Sequence, residues 1–143
     1  LQWRVSEGGN SGVFYRVSES SEAPWDTGME MQVLDDARHR DARSRLTAAG
    51  SLYGLIPAPA GVVRPAGVWN DVRIIAKGSK FEHWLNGVKL LEFDTASEDF
   101  RSKVAASKFA AMPGFAKERR GHILLQDHGD PVQYRNIRIR MLD

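Results

Sequence analysis

The chain has 143 residues, enough for one domain around one hydrophobic core, and its 13 Gly and 6 Pro, scattered among short apolar runs, favour many short strands over a helical bundle. Net charge is +2 and the 20 Lys and Arg are spread along the chain, so no basic block can neutralise a row of phosphates, which argues against nucleic acid as a partner. The absence of cysteine excludes disulfides, thiolate catalysis and Cys-ligated zinc, and no apolar run approaches the length of a membrane span.

The opening residues, LQWRVS, lack an initiator Met and already alternate like a strand in progress. The expectation is a single domain over residues 1–143, truncated at its N-terminus, with other domains of a larger protein as candidate partners. Leu1 to Ser6 and Val13 to Val17 read as two strands forming a hairpin through EGGNSG, whose glycines supply positive φ. In GMEMQVLD, residues 28–35, Met29, Met31 and Val33 share one face, and Glu30 and Gln32 the other. A charged stretch follows, then a short strand at Leu52 to Ile56 and a Pro/Gly-rich loop of the kind that often carries function.

WNDVRIIAKG alternates as a strand and leads into KFEHWLNGVKLLEF, where Asn86-Gly87 between apolar runs is a strong hairpin signal. TASEDFRSKVAASKF reads as the one helix, with Thr95 and Glu98 in capping-box spacing. After the loop AAMPGFAKERR, an apolar run at Ile123 to Leu125 ends in Gln126, Asp127 and His128 before a Gly-Asp-Pro turn. In the final strand Ile137, Ile139 and Met141 face one way, and Arg138 and Arg140 the other. About nine short alternating strands predict an all-β, two-sheet antiparallel jelly-roll sandwich with one appended helix, a barrel being the alternative.

Two places concentrate chemistry. Glu30 and Gln32 either face water from an ordinary strand or line a site, and no Lys or Arg alternates with them. His122, Leu124, Gln126 and His128 share one parity, so if Ile123 and Leu125 face the core, an amide and two imidazoles stand on one polar surface. Asp127 beside His128 has the residue types of a carboxylate that fixes an imidazole tautomer and raises its basicity. His83 is either a packed core histidine or a further catalytic candidate. Asp35 and His39 could, with His128 or oxygen partners, hold one divalent cation, the one candidate cofactor. Trp3, Trp25, Trp69 and Trp84 are core residues or sugar-stacking platforms.

The segments NSGVFYR, PWDTGMEMQVLD, SLYGLIPAP, RPAGVWNDVRIIAKG, EHWLNGVKLLEF, SKFAAMPGF and GHILLQDHGDPVQYRNIRIR resemble, in that order, the 3-keto-disaccharide hydrolase domain family, within the concanavalin A-like lectin and glucanase superfamily. The resemblance spans essentially the whole chain, with HWLNG and LQDHG its most specific motifs. It departs at Gln2, where the family often carries an acid, and in the arginine-rich stretch Arg38 to Arg45. It implies a jelly roll whose concave sheet holds the site, in bacterial proteins that are commonly periplasmic or secreted and commonly begin with further strands.

The implied chemistry is cleavage of glycosides already oxidised at C3. A C3 ketone acidifies the C2 hydrogen, so one base suffices for β-elimination of the C1 substituent, with water adding afterwards; ordinary glycoside hydrolysis asks for two carboxyl groups across the bond. On this reading Glu30, Asp127, His128 and His83 are the catalytic set, with His128 the base, Asp127 its orienting partner and Glu30 a second acid/base. Arg16, Gln32, Tyr53 and Gln126 hold the sugar, and a cation near Asp35 and His39 would stabilise the enediolate oxygen. The competing expectations are a lectin-like binding module, which needs a polar, aromatic groove but no base, and a purely structural β domain.

Overall fold

The computed structural model describes residues 1–142 and contains eight strands and one α-helix. They are β1 (Gln2–Val5), β2 (Asn10–Val17), β3 (Met29–Leu34), β4 (Asn70–Lys77), β5 (Lys80–Leu85), β6 (Val88–Asp94), α1 (Glu98–Ala105), β7 (His122–Leu125) and β8 (Val132–Arg135). A five-stranded sheet runs β6-β5-β4-β1-β8 and a three-stranded sheet runs β3-β2-β7, with every pairing antiparallel. This is the expected two-sheet sandwich, and among the described residues no barrel closes. No helix among the described residues is long and apolar enough to cross a membrane.

The alternation of each strand decides which face is buried. Trp3 and Val5 of β1, Val72 of β4, and Phe81 and Leu85 of β5 meet Val13, Tyr15, Met29, Met31 and Val33 from the smaller sheet in one core. The turn between β5 and β6 is the one read from the sequence: Asn86 and Gly87 have φ of 50° and 82°, which is the two-residue turn whose twist matches the flanking strands.

Four expectations are corrected. β1 and β2 form no hairpin, because β1 pairs with β4 and β8 while β2 pairs with β3 and β7. The glycine-rich link instead carries the chain from one sheet to the other, and residues 126–131 make the return crossing from β7 to β8. The two crossings lie side by side, with the Ser6 N–H donating to the Pro131 carbonyl at 3.0 Å and the Asn10 N–H to Asp130 Oδ2 at 3.1 Å. Leu52–Ile56 makes only isolated bridges, Leu52 with Met31 and with Ile56. Residues 137–142 extend no ladder; Ile137, Ile139 and Met141 are exposed. The helix cap lies two residues later than expected: Ser97 accepts from the Phe100 N–H, while Thr95 donates to the Ser79 carbonyl.

Candidate active site

The face of the three-stranded sheet turned away from the main core carries Asn10, Gly12 and Phe14 of β2 beside Glu30 and Gln32 of β3. The register sets Gly12 opposite Gln32 and Phe14 opposite Glu30. This face is the floor of a hollow of about 200 Å³, below the ~300–1,000 Å³ of a pocket for a drug-sized ligand, which suits one sugar ring better than a longer chain. Its walls come from segments far apart in sequence. Trp25 stands in the short 3-10 turn Pro24–Asp26, Asp41 and Tyr53 come from the β3–β4 connection, and Lys108, Phe109 and Phe115 follow α1. Gln126 and His128 stand on the crossing between the sheets.

Glu30 occupies the middle of the floor because β2 has no side chain at Gly12. A methyl group there would lie within 2.9 Å of the Glu30 Cδ and overlap its Oε1. Burial pushes the Glu30 carboxyl up to about 8, against the opposing pull of the Lys108 ammonium. The group is therefore mostly a neutral acid at pH 7. The backbone is fixed there as well, since the Glu30 carbonyl accepts from the Tyr53 N–H at 3.1 Å. Burial, and secondarily the Asp41 and Glu30 carboxylates, raise the Tyr53 phenol.

Gln32 is buried, its Nε2 reaching Asn10 Oδ1 at 3.4 Å while its Oε1 has no partner within the protein. An acceptor left bare beside a hollow is free for a ligand hydroxyl. Gln126 is held through its backbone, donating to the Gly12 carbonyl at 3.0 Å and accepting from the Ser11 hydroxyl at 2.6 Å, while Ser11 also meets the Tyr134 hydroxyl at 2.7 Å. The next alternate residue, His128, is exposed at the rim.

The structure thus brings Glu30, Gln32, Tyr53, Gln126 and His128 to one hollow and places the other expected site residues elsewhere. Asp127 does not orient His128: its Oδ1 accepts from the Gly129 N–H at 2.9 Å and shapes the turn. His83 is fully buried in the core, with Nε2 2.8 Å from the Tyr15 hydroxyl and Nδ1 3.0 Å from the Gly50 carbonyl, and burial lowers its pKa to about 4. It is a neutral structural imidazole. Arg16 leaves the site because it adopts a φ of 56°, stacks over Phe81 at 4.5 Å and donates to the Gly78 carbonyl.

Asp35 spends both carboxylate oxygens on turns, accepting from the Gly8 and Ala37 N–H groups at 2.8 and 3.1 Å. His39 Nδ1 accepts from the Asp41 N–H at 3.1 Å and caps the following 3-10 turn. Neither is poised as a ligand, and among the described residues no three His, Asp or Glu side chains are placed to share a metal ion.

Asp41 and Lys108 were not signalled by sequence, and Trp25 was one of four tryptophans that could be either core or a sugar platform. Trp25 and Asp41 sit in irregular segments with no strand parity, and Lys108 reads as the end of a helix. Trp3 is core, whereas the exposed Trp25 borders the hollow.

Residues 1–140 match the 3-keto-alpha-glucoside-1,2-lyase-like domain family. The chain belongs to that family. A 3-keto-disaccharide hydrolase of Bacteroides thetaiotaomicron is 32% identical over an alignment that takes in 100% of this chain and 57% of the relative. A crystal structure of a candidate glycosyl hydrolase from Parabacteroides distasonis superimposes with a TM-score of 0.84 at 31% identity, covering 92% of this chain and 64% of that one. A second such structure from the same organism gives 0.62 at 29% identity, over 66% of this chain and 49% of the other. The chain therefore spans little more than half the length of the curated relative it matches.

Proposed function

We propose that this domain cleaves glycosides that carry a ketone at C3, by elimination across C1–C2 followed by addition of water. The observation that carries the reading is the meeting, in one hollow of a member of this lyase-like family, of a carboxyl group kept neutral at Glu30 and an imidazole at His128. In the first half, His128 takes the C2 proton and the electron pair forms the C2–C3 enolate. That pair then builds the C1–C2 double bond as the C3 carbonyl re-forms and the C1–O bond breaks. Glu30 gives its proton to the departing oxygen, as a neutral acid can and a carboxylate cannot. In the second half, water loses a proton to Glu30 and bonds to C1, and C2 recovers a proton from His128, whose exposed ring has exchanged the one it took with solvent. Net hydrolysis results, with both groups restored.

The bare Gln32 acceptor, the Gln126 amide and Tyr53 suit the sugar hydroxyls, and Trp25 offers an apolar face for a ring. The reading includes an extracytoplasmic, periplasmic or secreted setting and a glycoside or oligosaccharide substrate; both rest on family likeness. One observation favours a second scheme: Asp41 also borders the hollow, so Glu30 and Asp41 could serve as the two carboxyl groups of a direct glycosidase. A 3-keto-disaccharide and its unoxidised parent separate the schemes. Free sugar from the ketone alone supports elimination; cleavage of the parent, lost in both Glu30→Gln and Asp41→Asn, supports direct hydrolysis; binding without turnover identifies a lectin-like module.

A further inference from the structure

The charged group of the hollow with no role so far is Lys108. It opens the 3-10 turn Lys108–Ala111, whose cap Ser107 accepts from the Phe109 N–H at 3.1 Å. Phe109 is buried and stacks on Phe115 with centroids 4.1 Å apart, so the backbone that carries the lysine is anchored. Its ammonium lies 4.6 Å from the Tyr53 ring centroid and 5.2 Å from that of Phe109. Two aromatic faces thus confine a side chain that would otherwise wander. Among the described residues no carboxylate lies within ion-pair distance of it.

Resting on the elimination reading, we propose that Lys108 is a catalytic residue that binds the C3 oxygen of the keto sugar and carries the negative charge that grows there as C2 loses its proton. An enolate places close to a full charge on that oxygen, and a site that speeds its formation needs a fixed positive group at that spot. Of the side chains lining the hollow, only Lys108 carries a permanent positive charge. His128 is assigned to the C2 proton, and Arg16 is committed to Gly78. The step moves no further atoms: the lysine stays an ammonium and its charge balances the enolate until the C1–O bond breaks and the carbonyl returns. The same contact explains recognition of a ketone, because an alcohol at C3 never develops the charge.

The test is the pH profile of kcat and KM for a 3-keto-disaccharide in wild type, Lys108→Met and Lys108→Arg, with thermal unfolding as a check that the exposed substitution leaves the fold intact. The expected result is a fall in plateau kcat of about 10²–10³-fold in Lys108→Met, with KM little changed, partial recovery in Lys108→Arg and an unaltered melting temperature. An unchanged plateau with only the alkaline limb moved upward overturns the proposal, since the lysine then merely tunes Glu30. So does a rise in KM alone, or a borohydride-trapped adduct on Lys108, which would make it an amine nucleophile. If wild type leaves the keto sugar untouched, the elimination reading falls and this inference with it; if wild type works and Lys108→Met works equally well, only the inference falls.

Discussion

At the scale of single residues, the chemistry rests on Glu30 and on Gly12, its diagonal neighbour on the adjacent strand. Glu30 is held neutral by burial, so kcat/KM should decline with a midpoint near pH 8 as the acid loses its proton, and Glu30→Gln should cost about 10²–10⁴-fold with the alkaline limb gone. Gly12→Ala probes the same acid from the other side. The new methyl must push the Glu30 carboxyl off the floor, so activity should fall at least tenfold while the far end of that flexible side chain absorbs the clash and circular dichroism is unchanged. His83→Ala should behave in the opposite manner. It removes the ring that meets the Tyr15 hydroxyl and the Gly50 carbonyl and leaves a cavity, so unfolding should become easier by about 2–4 kcal/mol, with kcat of the folded fraction preserved. The sequence signal for His83 was ambiguous because parity placed it with Phe81 and Leu85; the structure resolves that parity as core.

At the scale of elements, period-two alternation was enough to find β3, β4, β5 and β6 and to put Glu30 and Gln32 on a face of their own. Asn86-Gly87 was equally legible, since a two-residue turn needs positive φ at both positions. Gly87→Ala should therefore cost about 1 kcal/mol in chemical denaturation, with open space around the new methyl and strain only in the backbone. Pairing across sheets was not legible. Glycines in EGGNSG look the same whether they close a hairpin or turn a chain from one sheet to another, and the choice is made by partners about 70 and 130 residues away, β4 and β8. For the same reason Asp127 looked like the orienting carboxylate of His128. Adjacent residues on an extended chain point to opposite sides, and Asp127 instead bonds the turn it belongs to. Lys108 and Asp41 had no periodic signal, because the irregular segments carrying them are placed by tertiary packing alone.

At the scale of the whole molecule, a buried imidazole and a half-buried carboxyl shape stability in opposite directions. His83, lowered to about 4, is neutral in the fold and protonates more readily in the unfolded chain, so its contribution is present above about pH 6.5 and is lost as pH falls toward 4. Glu30, raised to about 8, binds its proton more tightly when folded, so its contribution is present below about pH 4.5 and is lost as pH rises through 8. Thermal unfolding across pH should show both slopes, and Glu30→Gln should flatten the alkaline one alone. The fold thus keeps an uncharged acid in a hollow at some cost in alkaline stability, which makes sense if that acid has chemistry to perform. The central claim is that the C2–H bond of a 3-keto-glycoside breaks during turnover. The direct measurement is cleavage of a 3-keto-disaccharide in deuterium oxide, with mass analysis of the released keto sugar against an enzyme-free control. One deuterium at C2 per turnover above the control is the predicted result; a product that keeps its original C2 hydrogen would contradict the account.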